Sequence, residues 1–171
     1  MKLQPATIGP PITTTKIQDP TKSESTEKTP AQPEPSMLSN WPVQLRLLPL
    51  QAPYLNGARL LLSADCVPFA VPDFHRRFLK GRIAVMACPK LDSDIQQYVE
   101  KLTAMFSMHN IPEVVVPFME VPCCTGLVRI VEAALSAAQS NTILRLIKVG
   151  ISGEILDTQD LKFGDEGKIS A

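Results

Sequence analysis

Several familiar signatures are missing from this chain. It has no P-loop, no GxGxxG after a strand and no nucleophile elbow, so the sequence motifs of phosphate-loop NTPases, dinucleotide enzymes and α/β-hydrolases are absent. It has no CxxC pair and no CxxCxxCxxxC run, which removes the usual thioredoxin and ferredoxin spacings. Gly150-Ile-Ser-Gly153 is too weak to read as a phosphate loop. Net charge is missing too: the 171 residues sum to zero. That balance offers no electrostatic reason to expect nucleic acid or an anionic membrane as partner. No apolar run is long enough to span a bilayer. The first residues, MKLQPATIGPP, contain no apolar core of a secretory signal. A soluble, cytoplasmic protein is expected. In a reducing compartment its four cysteines are read as metal ligands or redox thiols rather than disulfides.

What is present divides into three stretches. Residues 1–37 are rich in Pro, Thr, Ser, Lys and Glu and hold no aromatic residue and no cysteine. Such a segment buries too little apolar surface to offset its ordering entropy, so a disordered tail is expected, either a tether or the carrier of a short binding motif. Residues 38–157 carry the folded pattern. Residues 158–171 are polar and read as a loose tail.

Within the folded stretch, Val43, Leu45 and Leu47 alternate with Gln44 and Arg46, a half-buried strand. The flanking Pro42 and Pro49 favour an edge. The unit then alternates. Apolar runs at 58–64, 82–87, 113–120 and 144–149 suit strands buried on both faces, with Pro117 marking a bulge or irregular end in the third. Helical patterns lie between them: a short one at Asp73–Lys80 ended by Gly81, a longer one capped by Asp92 and stopped by Asn110 and Pro112, and a third over Thr125–Ser140. Strands alternating with helices predict an α/β fold: three layers around a mostly parallel, doubly wound sheet of four to five strands, with an N-terminal edge strand.

On this plan Cys66, Cys88 and the pair Cys123–Cys124 each follow a strand. Parallel strands share a direction, so all four thiols reach the carboxyl edge, where open α/β sheets bind ligands. Cys123–Cys124 also opens a helix, whose N-terminus favours thiolate. Adjacent cysteines rarely bridge each other, because disulfide geometry strains the intervening peptide. Four thiolates suit an iron–sulfur cluster or a closed zinc site. Against this stands the plain reading of each cysteine as a small buried hydrophobe. His75 is a further metal-donor candidate, or a packing residue. Asp65 is a candidate to orient a ligand by hydrogen bonding, or a loop residue. His109 is read as a partner of a helix C-terminus. Lys90 and Arg129 either offset thiolate charge or are simply solvated.

The strings NWPVQLRLLP, ADCVPFAVPDFH, FLKGRIAVMACPKLD and MEVPCCTGLVRIVEAAL, spread over about Ser39 to Leu156, resemble the α/β domain of bacterial and archaeal iron–sulfur cluster-binding proteins of 4Fe–4S ferredoxin type. This chain lacks the N-terminal ferredoxin motifs, having no cysteine before Cys66. The resemblance implies a cluster- or metal-binding domain linked to electron transfer. By position it picks out Asp65 and Cys66, Asp73 to His75, Cys88 to Asp92, and Pro122 to Cys124. Three functions follow as expectations. The first is an electron-transfer or accessory module holding a cluster, 4Fe–4S foremost, on Cys66, Cys88, Cys123 and Cys124. The second is a zinc or iron enzyme with an open Cys/His site that includes His75. The third is a zinc-stabilised binding module. A redox partner protein is an expected partner, and a homodimer through the edge strand at Val43–Leu47 is left open.

Overall fold

The computed structural model describes residues 34–92, 94–163 and the backbone of 169–170. The expected N-terminal tail falls outside these residues, apart from its last few positions. The chain divides into Met1–Glu34 and a compact unit, Pro35–Ala171.

The apolar runs form the strands that their composition predicts. Strands β1 (Arg59–Ala64), β2 (Ile83–Ala87), β3 (Glu113–Met119) and β4 (Ile143–Val149) are joined by β5 (Ile155–Lys162) and the short β6 (Ile169–Ser170). Their order in one sheet is β2-β1-β3-β4-β5-β6. The first four run parallel, and β5 and β6 are antiparallel additions. Leu60, Leu61 and Leu62 are all buried, as are Val114, Val115 and Val116. Consecutive buried residues mean that both faces of these strands are covered, as the continuous apolar runs require.

Helix α1 (Val67–Ala70) and a single π-type turn, His75–Leu79, connect β1 to β2. Helices α2 (Ile95–Met108) and α3 (Thr125–Ala137) lead into β3 and β4 and pack on each other. The β1-to-β2 step moves one way along the sheet and the next two steps move the other way. Right-handed crossovers therefore put α2 and α3 on one face and the α1 connection on the opposite one. The three-layer, doubly wound α/β architecture is as expected.

Four local expectations need correction. The segment at Val43–Leu47 pairs with β2 through one bridge, Gln44 to Met86, and then turns, leaving Leu47 68% exposed. The chain preceding it is held by Asn40, whose side chain accepts from Ala84 N–H (2.7 Å) and donates to Ala84 O (2.9 Å). The amide thus imitates a paired strand and caps the outer edge of β2. Second, the cap of α2 is Asp94, in the left-handed region (φ 66°), with Gln97 N–H donating to it. Asp92 instead accepts from Cys88 N–H at 2.8 Å. Third, Pro117 breaks nothing. β3 keeps register with β4 from Glu113 to Met119, and its ladder with β1 has ended at Val115. Fourth, the loose tail expected from residue 158 is in fact strand β5 as far as Lys162, followed by buried Phe163. Its polar residues hid it, since β5 is held by backbone pairing to β4 and buries only Leu161 along its length.

Candidate functional site

Neighbouring strands β1 and β3 send their connections in opposite directions, so a crevice opens beyond their carboxyl ends. In doubly wound sheets this switch point is where ligands bind. Cys66 stands two residues past β1, and Cys123 and Cys124 lie in the 3-10 turn Pro122–Cys124 just after β3. Cys88 directly follows β2, on the far side of β1. The elements that present the four cysteines are therefore adjacent, as the strand plan required.

The thiols differ in setting. Cys66 and Cys123 are exposed, Cys88 is half-buried and Cys124 is buried; all four are free. Burial pushes the Cys124 thiol up, against a hydrogen bond with the Met119 backbone that pulls it down; the neighbouring Cys123 and then Cys66 push it further up. Cys66, Cys123 and Cys124 thus share one electrostatic neighbourhood. Cys88 is tied to it through packing. A Cβ on Gly126 would lie 3.2 Å from the ring carbons of Pro89, so the loop after β2 rests on the first turn of α3, beside Cys124.

Acidic residues line the β2 side. One carboxylate oxygen of Asp65 is buried without a hydrogen-bond partner. Burial, then the nearby charge of Asp92, raises the Asp65 pKa. Tyr98, fully buried in the core, is pushed up to about 12 by burial first and then by Asp92; its hydroxyl donates to Gln44 Oε1 at 3.3 Å.

The turn from β4 to β5 forms a further wall, which the sequence did not announce. Gly153 has φ 89°, and a Cβ there would run into the carbonyl of Ala70. Only glycine lets this turn sit on the end of α1. Ile151 N–H is held by Glu120 Oε1 at 3.1 Å. At this edge α1, the loop after β2 and the β4–β5 turn present large apolar side chains to solvent: Phe69 is 92% exposed, Leu91 83% and Ile151 71%. Sequence reasoning missed these residues because Phe69 sits in an apolar string that looks like core, and Leu91 and Ile151 stand singly among loop residues.

The remaining candidates stand apart or are otherwise engaged. His75 Nδ1 accepts from Met37 N–H at 3.2 Å, and its ring meets Phe74 edge-on. His109 follows the end of α2 as expected, with Nε2 2.6 Å from Leu50 O. Lys90 and Arg129 are exposed. Among the described residues no three His, Cys, Asp or Glu side chains are gathered in a metal-holding arrangement. The cysteines and His75 therefore do not form a ready-made coordination shell. A cleft of about 300 Å³ on the α3 side begins at Thr125 and includes Glu120, Lys148 and Asp157, but the cysteines do not line it.

The family model of the Rossmann-like domain matches residues 52–169. An uncharacterised protein of Archaeoglobus fulgidus is 30% identical over 118 residues, which cover 69% of this chain and 82% of that protein. No solved structure matches. These findings overturn the resemblance to 4Fe–4S ferredoxin-type proteins: the matched region is the α/β domain itself, and nothing in it leads to a ferredoxin family. The strings that suggested one cover β2, most of α3 and the turns at the strand ends of this fold. The chain belongs to the Rossmann-like domain family.

Proposed function

We propose that this protein is a metal- or iron–sulfur-cluster-binding module that uses Cys66, Cys123 and Cys124, with Cys88 completing the set, and that it serves electron transfer or an accessory role rather than acting as a stand-alone enzyme. One observation carries this reading: three adjacent parallel strands each lead to a cysteine at one edge. The donor set fits a thiophilic ion or cluster in chemical kind. Ligation requires side-chain rotation, which exposed Cys66 and Cys123 can make at little cost. His75 keeps only Nε2 for any ligand role while Met37 holds its Nδ1. A bound cluster would supply one-electron chemistry, and a zinc ion would supply cross-linking alone.

The protein's own contribution is proton control and access. Cys124 holds its proton more tightly than an ordinary thiol, so ligation must displace that proton and affinity falls as pH falls. Exposed Phe69, Leu91 and Ile151, on segments that follow β1, β2 and β4, support a partner protein docking over the same edge.

The test is anaerobic purification of the full chain, with metal analysis and an absorption spectrum. Iron with visible absorbance that bleaches on reduction is expected for a cluster; colourless protein with stoichiometric zinc points to the single-ion form. Cys66→Ser and Cys123→Ser should each lower metal content. If these and Cys88→Ser all left it unchanged, the shared site would be wrong.

A further inference from the structure

A small pocket lies beneath the N-terminal strap of the folded unit, on the sheet face that carries the α1 connection. The register pairs Leu61 with Ala84 and Ser63 with Met86, so these four side chains share one face of β1 and β2 and form the floor. Pro68 of α1 and Phe74, just before the π-type turn, make one wall. Leu38 and Val43 of the strap make the other. The space is about 140 Å³, and no cysteine lines it. Leu38, Val43, Pro68 and Met86 all keep solvent-accessible surface, so a guest meets them directly.

The strap is pinned on both sides of Leu38. Met37 N–H donates to His75 Nδ1 at 3.2 Å, and Ser39 Oγ donates to Arg82 O at 3.1 Å. Asn40 then holds Ala84. These ties fix the backbone at the mouth and leave Leu38 38% exposed, so the strap does not collapse into the space below it.

The lining gives a polar guest nothing to bind. Its one side-chain hydroxyl, on Ser63, is buried and donates to Ala64 O at 3.0 Å. A polar group pushed inside would lose its water and gain no partner. An apolar space of this size, walled by aliphatic and aromatic side chains, stays dry and accepts benzene. It is smaller than the sites of drug-sized ligands, roughly 300–1,000 Å³, so the guest is a single ring or a short branched chain. We infer that this pocket takes up the hydrocarbon end of a small free ligand, a phenyl ring or a branched alkyl group of similar size, with any polar part left outside Leu38. The site is independent of the cysteine edge and of what binds there.

NMR titration of the full chain tests it, with benzene and hydroquinone as probes. Benzene should bind saturably and show contacts to the methyl groups of Val43, Ala84 and Met86. Hydroquinone carries a hydroxyl at each end and must bury one of them, so it should bind at least roughly tenfold more weakly. Ala84→Leu fills the floor and Val43→Phe fills the space from the strap side; each should abolish benzene binding in a protein whose spectrum remains that of the folded chain. Absence of saturable benzene binding would overturn the inference, as would equal affinity for hydroquinone or binding that survives both substitutions. If Ala84→Leu does not fold, Val43→Phe alone decides.

Discussion

Gly153 links the antiparallel extension of the sheet to the cysteine edge, and replacing it should disturb both stability and site. Two costs add in Gly153→Ala. The native φ of 89° lies where an L-residue pays about 1–2 kcal/mol. The new methyl also meets the Ala70 carbonyl, and overpacking of this kind costs about 1–3 kcal/mol. Relief requires the turn to lift from Ala70, so the sum, about 2–5 kcal/mol, is an upper range. Urea denaturation of the full chain measures it. Hydrogen exchange locates it: faster exchange is expected at Phe69 and Ala70, whose N–H groups bond to Cys66 O, and at Ile151, held by Glu120. Exchange in α2 should be unchanged outside global unfolding. A loss below about 0.5 kcal/mol, the scatter of neutral surface changes, would mean that the turn is not seated on α1.

Two further outcomes are expected. Asn40→Ala removes both bonds to Ala84 and leaves buried backbone groups of β2 unpaired; a loss of about 1–3 kcal/mol in urea melts is expected, with new protease sensitivity in the segment around Trp41. Asp65→Asn should stabilise the protein at pH 7. The folded state raises the Asp65 pKa by burial and by Asp92, so Asp65 stabilises only while protonated, at low pH, and that contribution is lost as pH rises through its folded pKa. The advantage of the amide in thermal melts should therefore shrink as pH falls through the raised folded pKa and be gone below about 4, the unfolded value; a gain that is the same at every pH would assign the effect to packing instead.

Much of this protein could be read from its chain because the parallel strands are buried on both faces. Leu60–Leu62 and Val114–Val116 announce themselves as unbroken apolar runs, and the helical period between them locates α2 and α3. Chain direction in a parallel sheet then carries Cys66, Cys88 and Cys123–Cys124 to one edge without further information. Elements whose stability is not written in side chains were illegible. β5 reads as a polar tail because its bonds are made by backbone to β4, and Arg145 pairs with Asp160 only once the strands align. Asp92 and Asp94 are both good helix caps, and only the bond from Cys88 N–H takes Asp92 out of that role.

The sequence by itself determined the α/β class, the alternation of elements and the strand-end position of every cysteine, since local hydrophobic period and strand direction are properties of the chain. The tertiary structure decided which thiols interact, that Cys124 is buried while Cys66 and Cys123 are open, and that no coordination shell is assembled in advance among the described residues. It also decided that Gly126 lets the loop after β2 rest on α3 and that Gly153 seats the β4–β5 turn on α1. Those outcomes depend on distances of a few ångströms between segments far apart in the chain, and local pattern carries no record of such distances.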